Sequence, residues 1–194
     1  MNTPKTIRTL AVAVVAVWTT VLYLSDIELS TVGQQIVANL PTALMLLTIA
    51  FDLWLWKLPL VNRFHSRPLI GGTWGTIITP HPDSHIPEAG NAGFIAARTI
   101  IEQTFWTLAV TMKTAESESV SRAEHIAPDG GSRTRKVLTY TYTNTPQIAV
   151  QHRSPIHIGA SMLTINGPRP DTITGIYWTG RLTIGDLALT RTDG

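Results

Sequence analysis

Hydrophobic residues are distributed very unevenly along this chain. Two uncharged, apolar stretches, residues 9–25 and 29–51, stand back to back near its start, parted only by Asp26, Ile27 and Glu28. A helix satisfies its own backbone groups, so stretches of this length and composition transfer well into hydrocarbon. From about residue 69 onward β-branched and aromatic residues alternate with polar ones in short runs, with Gly, Pro, Asn and Asp between them. The pattern predicts a membrane α-helical hairpin plus an all-β domain. The hairpin occupies residues 1–62, with two N-terminal transmembrane helices at about 9–25 and 31–56. Residues 63–68 form a polar linker, and residues 69–194 the β domain.

Eight strands are predicted, at residues 71–79, 96–103, 105–114, 118–127, 134–144, 155–165, 171–180 and 184–191. A Pro- and Gly-rich loop at 81–93, a Pro-Asp-Gly-Gly turn at 128–131 and the pair Asn166-Gly167 separate some of them. Short antiparallel strands of this kind build a sandwich or a small closed barrel. An eight-stranded antiparallel β-barrel is favoured, because closure removes exposed edges and leaves an interior for side chains or one small ligand. Alternation groups Trp106, Leu108, Val110 and Met112 on one face, Leu138, Tyr140 and Tyr142 on another, and Gly175, Tyr177 and Thr179 opposite Ile176 and Trp178. Which of these faces the inside is left open.

Charge sets the orientation. Lys5 and Arg8 precede the first apolar stretch, and Lys57, Arg63 and Arg67 follow the second, while the turn between carries only acids. The positive-inside rule then places both termini and the β domain in the cytoplasm, in a multi-pass protein of the cell inner membrane, with Trp54 and Trp56 as an interfacial belt. A cleaved signal peptide is the rival for the first stretch, but no small-x-small site follows Leu24 and a second apolar stretch comes at once. Asn39, Pro41 and Asp52 mark the second helix as more than a plain anchor, with Asp52 expected to snorkel towards water.

The other ten of the fifteen Lys+Arg lie from residue 68 onward, where they meet ten Asp+Glu. The pI of 9.2 therefore reflects the membrane flanks, and a basic surface for DNA or RNA is not supported. Absence of cysteine excludes disulfides and thiol chemistry. His81-x-x-x-His85 sits in a Pro-rich loop rather than on a helix face, so no metal site is expected, and no nucleophile triad, P-loop or GxGxxG points to catalysis.

Several short motifs follow the hairpin in order. They are Gly72-Thr73-Trp74-Gly75, Glu102-Gln103-Thr104, Ser117-Glu118-Ser119, Leu138-Thr139-Tyr140-Thr141-Tyr142 with Asn144 and Pro146, His157-Ile158-Gly159, and Gly175-Ile176-Tyr177-Trp178-Thr179-Gly180-Arg181 with Thr183 and Gly185. In this order the chain resembles the SMODS-associated two-transmembrane, β-strand-rich effectors of bacterial CBASS antiphage defence. The resemblance implies a receptor and not an enzyme. Its barrel senses a cyclic dinucleotide from a partner nucleotidyltransferase. Occupancy then promotes homo-oligomerisation of the transmembrane helices in the lipid bilayer, inner-membrane disruption and a cell death that limits phage spread. No cofactor is implied.

A cyclic dinucleotide requires aromatic planes for its bases and donors for its phosphates. At positions within these motifs, Tyr140, Tyr142, Tyr177 and Trp178 are candidates for stacking, with ordinary barrel core as the competing use of each. Arg181 offers a planar fork for phosphate, against a simple strand-end role. Gln103, Thr104, His157 and Thr179 supply hydrogen bonds. Gly72-x-Trp74 also resembles the first strand of lipocalins, where such a Trp plugs the floor beneath a late Arg, here Arg181 or Arg191. The alternative function is accordingly a membrane-tethered, lipocalin-like carrier of a hydrophobic ligand, with a pocket that is apolar throughout.

Overall fold

The computed structural model describes residues 3–24, 31–62, 64–65, 67–86, 93–132 and 134–192. The acidic turn at 26–28, residues 63 and 66 of the linker and residues 87–92 of the 81–93 loop lie outside the described residues. The chain forms two compact units. One is Met1–Asn62 together with Thr104–Thr107, and the other is Arg63–Gln103 together with Leu108–Gly194.

The first unit holds helix α1 (Thr3–Leu24), helix α2 (Thr31–Leu53), a 3-10 turn (Leu55–Lys57) and a short helix α3 (Pro59–Asn62). Among the described residues α2 is the helix long and apolar enough to cross a membrane by length and composition. Its side chains are mostly exposed in the protein itself. Polar side chains along both helices satisfy themselves locally: Thr19, Thr20 and Thr48 donate to carbonyls four residues back, and Asn39 Nδ2 donates to Gln35 O at 2.8 Å. Such back-bonding hides polar atoms that would otherwise resist leaving water.

Two expectations for this unit are corrected. Asp52 does not snorkel; its Oδ1 accepts the Trp106 N–H at 3.1 Å and its carbonyl accepts the Phe105 N–H at 3.0 Å. Trp56 is buried instead of lying in an interfacial belt, with its ring 5.9 Å from Phe105, which also meets Phe51 edge-on at 4.8 Å. Phe105 and Trp106 are therefore drawn out of the third strand, which begins at Leu108, and Trp106 does not share the face of Leu108, Val110 and Met112.

The second unit is a closed barrel of strands β1 (Gly72–Pro80), β2 (Ile95–Gln103), β3 (Leu108–Thr114), β4 (Ser117–Pro128), β5 (Arg135–Pro146), β6 (His157–Asn166), β7 (Thr172–Thr179) and β8 (Ile184–Arg191). Each strand pairs antiparallel with the next, and β8 closes on β1 through pairs from Trp74↔Arg191 to Pro80↔Gly185. A bulge at Ser121/Ala123 bends β4, and beyond Thr111↔Val120 the Ser121 hydroxyl takes the Val110 N–H at 2.8 Å in place of a ladder bond.

Burial settles the faces. Leu138, Tyr140 and Tyr142 point inward, as do Val110 and Met112, while Thr141, Ile176 and Trp178 stand outside. Ile101, Leu138, Leu163, Ile165, Ile173 and Leu189 pack the interior towards the end where β1 begins. That end is shut by Trp74, fully buried, whose indole N–H donates to Ile70 O at 3.0 Å. The Arg191 guanidinium lies 4.4 Å from the ring centroid and donates to Gly71 O and Leu69 O, both at 3.0 Å. Of the two arginines proposed for this floor, Arg191 occupies it and Arg181 does not.

Removing so large a buried side chain leaves a cavity that the ladder cannot close. Trp74→Ala is expected to destabilise the barrel by about 3–5 kcal/mol, read from chemical unfolding. Arg191→Ala should cost less, because part of the guanidinium is solvated.

Candidate functional site

With one end plugged, the barrel opens only at the end where β1 finishes and β2 begins. Behind that mouth lies a cavity of about 440 Å³. Its size falls within the range of about 300–1,000 Å³ typical of small-molecule sites. Ile78, Val110, Met112 and Leu187 supply its apolar lining, and Tyr140, Tyr142 and Tyr177 its aromatic rings. Ser119, Asn144, His157, Ser161, Thr179 and Thr183 add polar atoms, with Phe94, Glu116 and Ser154 nearer the rim.

Local sequence places the aromatic rings. Tyr142 pairs across the ladder with Gly159, and Tyr177 with Gly185. A Cβ at residue 159 would sit 2.4 Å from the Tyr142 ring and hydroxyl, and one at residue 185 would sit 2.2 Å from Thr79 O and 2.8 Å from the Tyr177 ring. Each tyrosine thus lies over a strand glycine, which lets a wide ring settle against the barrel wall. Tyr140 and Tyr142 are tilted neighbours with centroids 6.1 Å apart. Burial raises all three phenols above their ordinary value. Ser161 partly offsets this at Tyr140, whereas Tyr140 and Tyr177 add to it at Tyr142, and Asp186 adds to it at Tyr177. At neutral pH the cavity therefore holds three neutral hydroxyl donors.

A polar chain runs across β4, β5 and β6. Ser119 Oγ donates to Asn144 Oδ1 at 2.9 Å, Asn144 Nδ2 reaches His157 Nε2 at 3.5 Å, and His157 Nδ1 meets Pro155 O at 2.8 Å. A carbonyl only accepts, so Nδ1 carries the proton and Nε2 is the acceptor of the neutral ring. Burial holds the His157 imidazole below its ordinary value, opposed by the Pro155 carbonyl and assisted by the Arg181 charge.

Five of the predicted site residues, Tyr140, Tyr142, His157, Tyr177 and Thr179, come together around this cavity. Four do not. Trp178 stands on the outer surface, because it directly follows the inward Tyr177 in an extended strand. Gln103 lies at the plugged end, where Oε1 accepts the N–H groups of Ile70 and Gly71 at 2.9 Å and Nε2 donates to Pro68 O. Thr104 belongs to the turn that follows, hydrogen-bonded to Thr107. Arg181 sits at the mouth outside the cavity lining. There it donates to Ser154 Oγ at 2.7 Å and Arg153 O at 3.1 Å, and so straps the 151–156 segment to the β7–β8 turn.

Ser119, Asn144 and Ser161 line the cavity and were not predicted as site residues. Alternation from Tyr140 and Tyr142 to Asn144, and from His157 to Ser161, carries the signal that finds the last two. Among the described residues the only charged side chain in the lining is Glu116, which pairs with Arg153 at 2.6 Å.

Residues 66–191 match the Cap15 cyclic dinucleotide receptor domain, a span that takes in all eight strands. The chain belongs to the Cap15 family. CD-NTase-associated protein 15 of Staphylococcus schleiferi is 28% identical over 178 residues, which cover 89% of this chain and 91% of that protein. Family membership makes the Cap15 barrel a receptor domain of a CBASS effector, a binding module and not an enzyme.

Two outcomes follow from the geometry. Gly159→Ala is expected to push the Tyr142 ring into the cavity and reduce its volume, visible as altered ring-proton shifts of Tyr142. Because the folded pKa of His157 is lowered, the unfolded chain takes up this proton first as pH falls below about 6.5. The contribution of His157 to stability is thus complete above that pH and is lost as pH falls through the folded value. Thermal unfolding of the wild type should weaken on acidification from about pH 7.5 to about pH 5 more steeply than that of His157→Asn.

Proposed function

We propose that this Cap15 barrel holds a cyclic dinucleotide with its bases inward and its phosphates at the mouth. The observation that carries the reading is the composition of the cavity. Three neutral tyrosines and a Ser119–Asn144–His157 chain converge in it, while among the described residues its lining has no Lys or Arg. Bases offer flat faces to Tyr142 and Tyr177 and polar edges to Asn144, Ser119 and Ser161. Two phosphates gain nothing from such an interior and are served by the positive charge of Arg181 and Arg153 at the rim. A carrier of wholly apolar ligands has no use for those hydroxyl, amide and imidazole groups, so the lipocalin-like alternative fits less well.

In this reading the nucleotide comes from a partner nucleotidyltransferase of the kind that the Staphylococcus relative's name associates it with. Residues 1–62 anchor the chain in the inner membrane as a two-helix hairpin, with the barrel and both termini in the cytoplasm. Occupancy favours an assembled state of the hairpin, the membrane loses integrity, and the infected cell dies before phage are released. A ligand shifts such an equilibrium only by binding the assembled state more tightly. The Cap15 barrel therefore has to differ, when filled, in some surface that neighbouring copies meet.

Thermal stabilisation of the full chain in detergent, against a panel of cyclic dinucleotides and a panel of fatty acids, tests the ligand class. Stabilisation by a nucleotide is expected. Tyr142→Ala and Tyr177→Ala should each weaken it by about 1–3 kcal/mol, and Arg181→Ala should also weaken it. Stabilisation by fatty acids alone would favour the carrier. A chain whose residues 1–62 are replaced by a soluble tag should keep nucleotide binding and lose toxicity in cells.

A further inference from the structure

The outer surface of the barrel divides into two unlike halves. Outward positions of β1–β4 carry Arg98, Glu102, Lys113, Glu118 and Arg122, and the register sets Lys113 beside both Arg98 and Glu118. Outward positions of β5–β8 are Thr, Val, Ile, Met, Ala and Trp, with Asn166 at the end of β6 and the Arg122 side chain of β4 reaching Thr143 at the β5 margin. Among the described residues the one charge within that face is Asp186, apart from Arg135 at the first position of β5, which is paired with Asp129.

Exposed apolar side chains on this second half are contiguous. Register places Met162 beside Ile176, and Trp178 beside both Ala160 and Ile184. Ile158 and Leu182 continue the patch towards the mouth, and all six of the large side chains are exposed. Leu182 holds a backbone φ of 61°, in the left-handed region that favours Gly or Asn, yet it presents its side chain to solvent. Keeping a leucine there costs backbone strain and gains no internal packing, which marks it as a contact residue for something outside the barrel.

We propose that the outer face of β5–β8 is where two copies of this chain associate. Four strands spaced about 4.8 Å apart and about eight residues long span roughly 500 Å² in projection, more as accessible surface. A stable interface needs about 800 Å² per partner and a transient one about 600 Å² or less, so the face has the size of a transient contact. Charge selects the occupant. Anionic lipid headgroups attract Lys and Arg, and a charged protein partner demands opposite charge, but this face offers a single acid. What it complements is another apolar face with little charge, and every copy of the chain carries one. Trp178, between Ala160 and Ile184, is the central anchor.

This surface is the reverse side of the strands that line the cavity. Tyr177 faces in while Ile176 and Trp178 face out, and Tyr140, Tyr142, His157 and Ser161 lie on the same group of strands. The face is present whatever fills the cavity, so its test stands apart from the identity of the ligand.

The chain has no cysteine, so single cysteines report on proximity without background. In full-length protein in detergent micelles, Thr174→Cys on the outer side of β7 should cross-link into dimers with a short bis-maleimide. Lys113→Cys on the charged half should cross-link roughly tenfold less. Adding Trp178→Lys, or independently Ile176→Lys, should lower the Thr174→Cys yield roughly tenfold or more, because an unpaired charge is then buried in the contact. Both residues are exposed, and unchanged thermal unfolding of each variant confirms that the barrel is intact. Equal yields at the two cysteine positions, or a Thr174→Cys yield indifferent to both lysine variants, would overturn the proposal. So would binding of the face to anionic vesicles that Trp178→Lys abolishes while cross-linking stays at the Lys113→Cys level. Retained nucleotide stabilisation in a variant that no longer cross-links would separate this surface from the ligand site.

Discussion

The barrel has one mouth because Trp74 and Arg191 shut the other end. An eight-stranded barrel has a bore just wide enough to be filled by side chains, and here the filling is uneven. Trp74, Ile101, Leu138, Leu163, Ile165, Ile173 and Leu189 are packed into one end with almost no exposure. The guanidinium of Arg191 lies over the indole and closes the entering segment through Gly71 and Leu69. Gln103 adds three hydrogen bonds to the same segment. With that end saturated, whatever space the strands leave must lie at the other, and it is there that the side chains change from aliphatic to tyrosine, serine, asparagine and histidine.

Alternation then determines what the cavity can recognise. A strand offers every second residue to the interior, so eight short inward runs decide the chemistry. Those runs bring three phenols that burial keeps protonated, an imidazole that burial keeps neutral, and hydroxyls paired with one another, as Thr179 and Thr183 are at 2.6 Å. An interior of neutral donors and acceptors suits the edges and faces of bases better than the charge of phosphates. The cations of the site stand outside it, with Arg153 tied to Glu116 and Arg181 to Ser154. An anionic group at the rim meets them there without being taken out of water, which avoids the desolvation cost of a buried ion pair.

Much of this was legible in the sequence, for a physical reason. Period-two alternation and turn residues are local signals, so the strands were placed to within one to three residues of their observed ends and Tyr140, Tyr142 and Tyr177 were grouped correctly. The misplacements need information that no single strand contains. Gln103 and Thr104 lie where β2 ends, and only the closed topology shows that this is the plugged end. Phe105 and Trp106 read as a strand start, but Asp52, far away in sequence, takes their N–H groups. Trp178 is different: two adjacent residues of one strand cannot share a face, so Tyr177 and Trp178 were never both available to one pocket. Arg181 and Arg191 were equal candidates for the floor because both come late in the chain, and only the pairing Trp74↔Arg191 separates them.

The same rule of alternation links the inside of the barrel to its outside. Tyr177 shares its peptide units with Ile176 and Trp178, and Gly159 and Gly185 set backbone, not a soft side chain, beneath the Tyr142 and Tyr177 rings. Close packing makes such walls stiff, so a displacement on one side reaches the other with little loss. The charged half of the barrel contributes less to the aromatic wall, since Tyr140, Tyr142 and Tyr177 all come from β5 and β7. For the association proposed above, the aromatic wall and the exposed apolar face stand on common strands, so a push on one bears on the other.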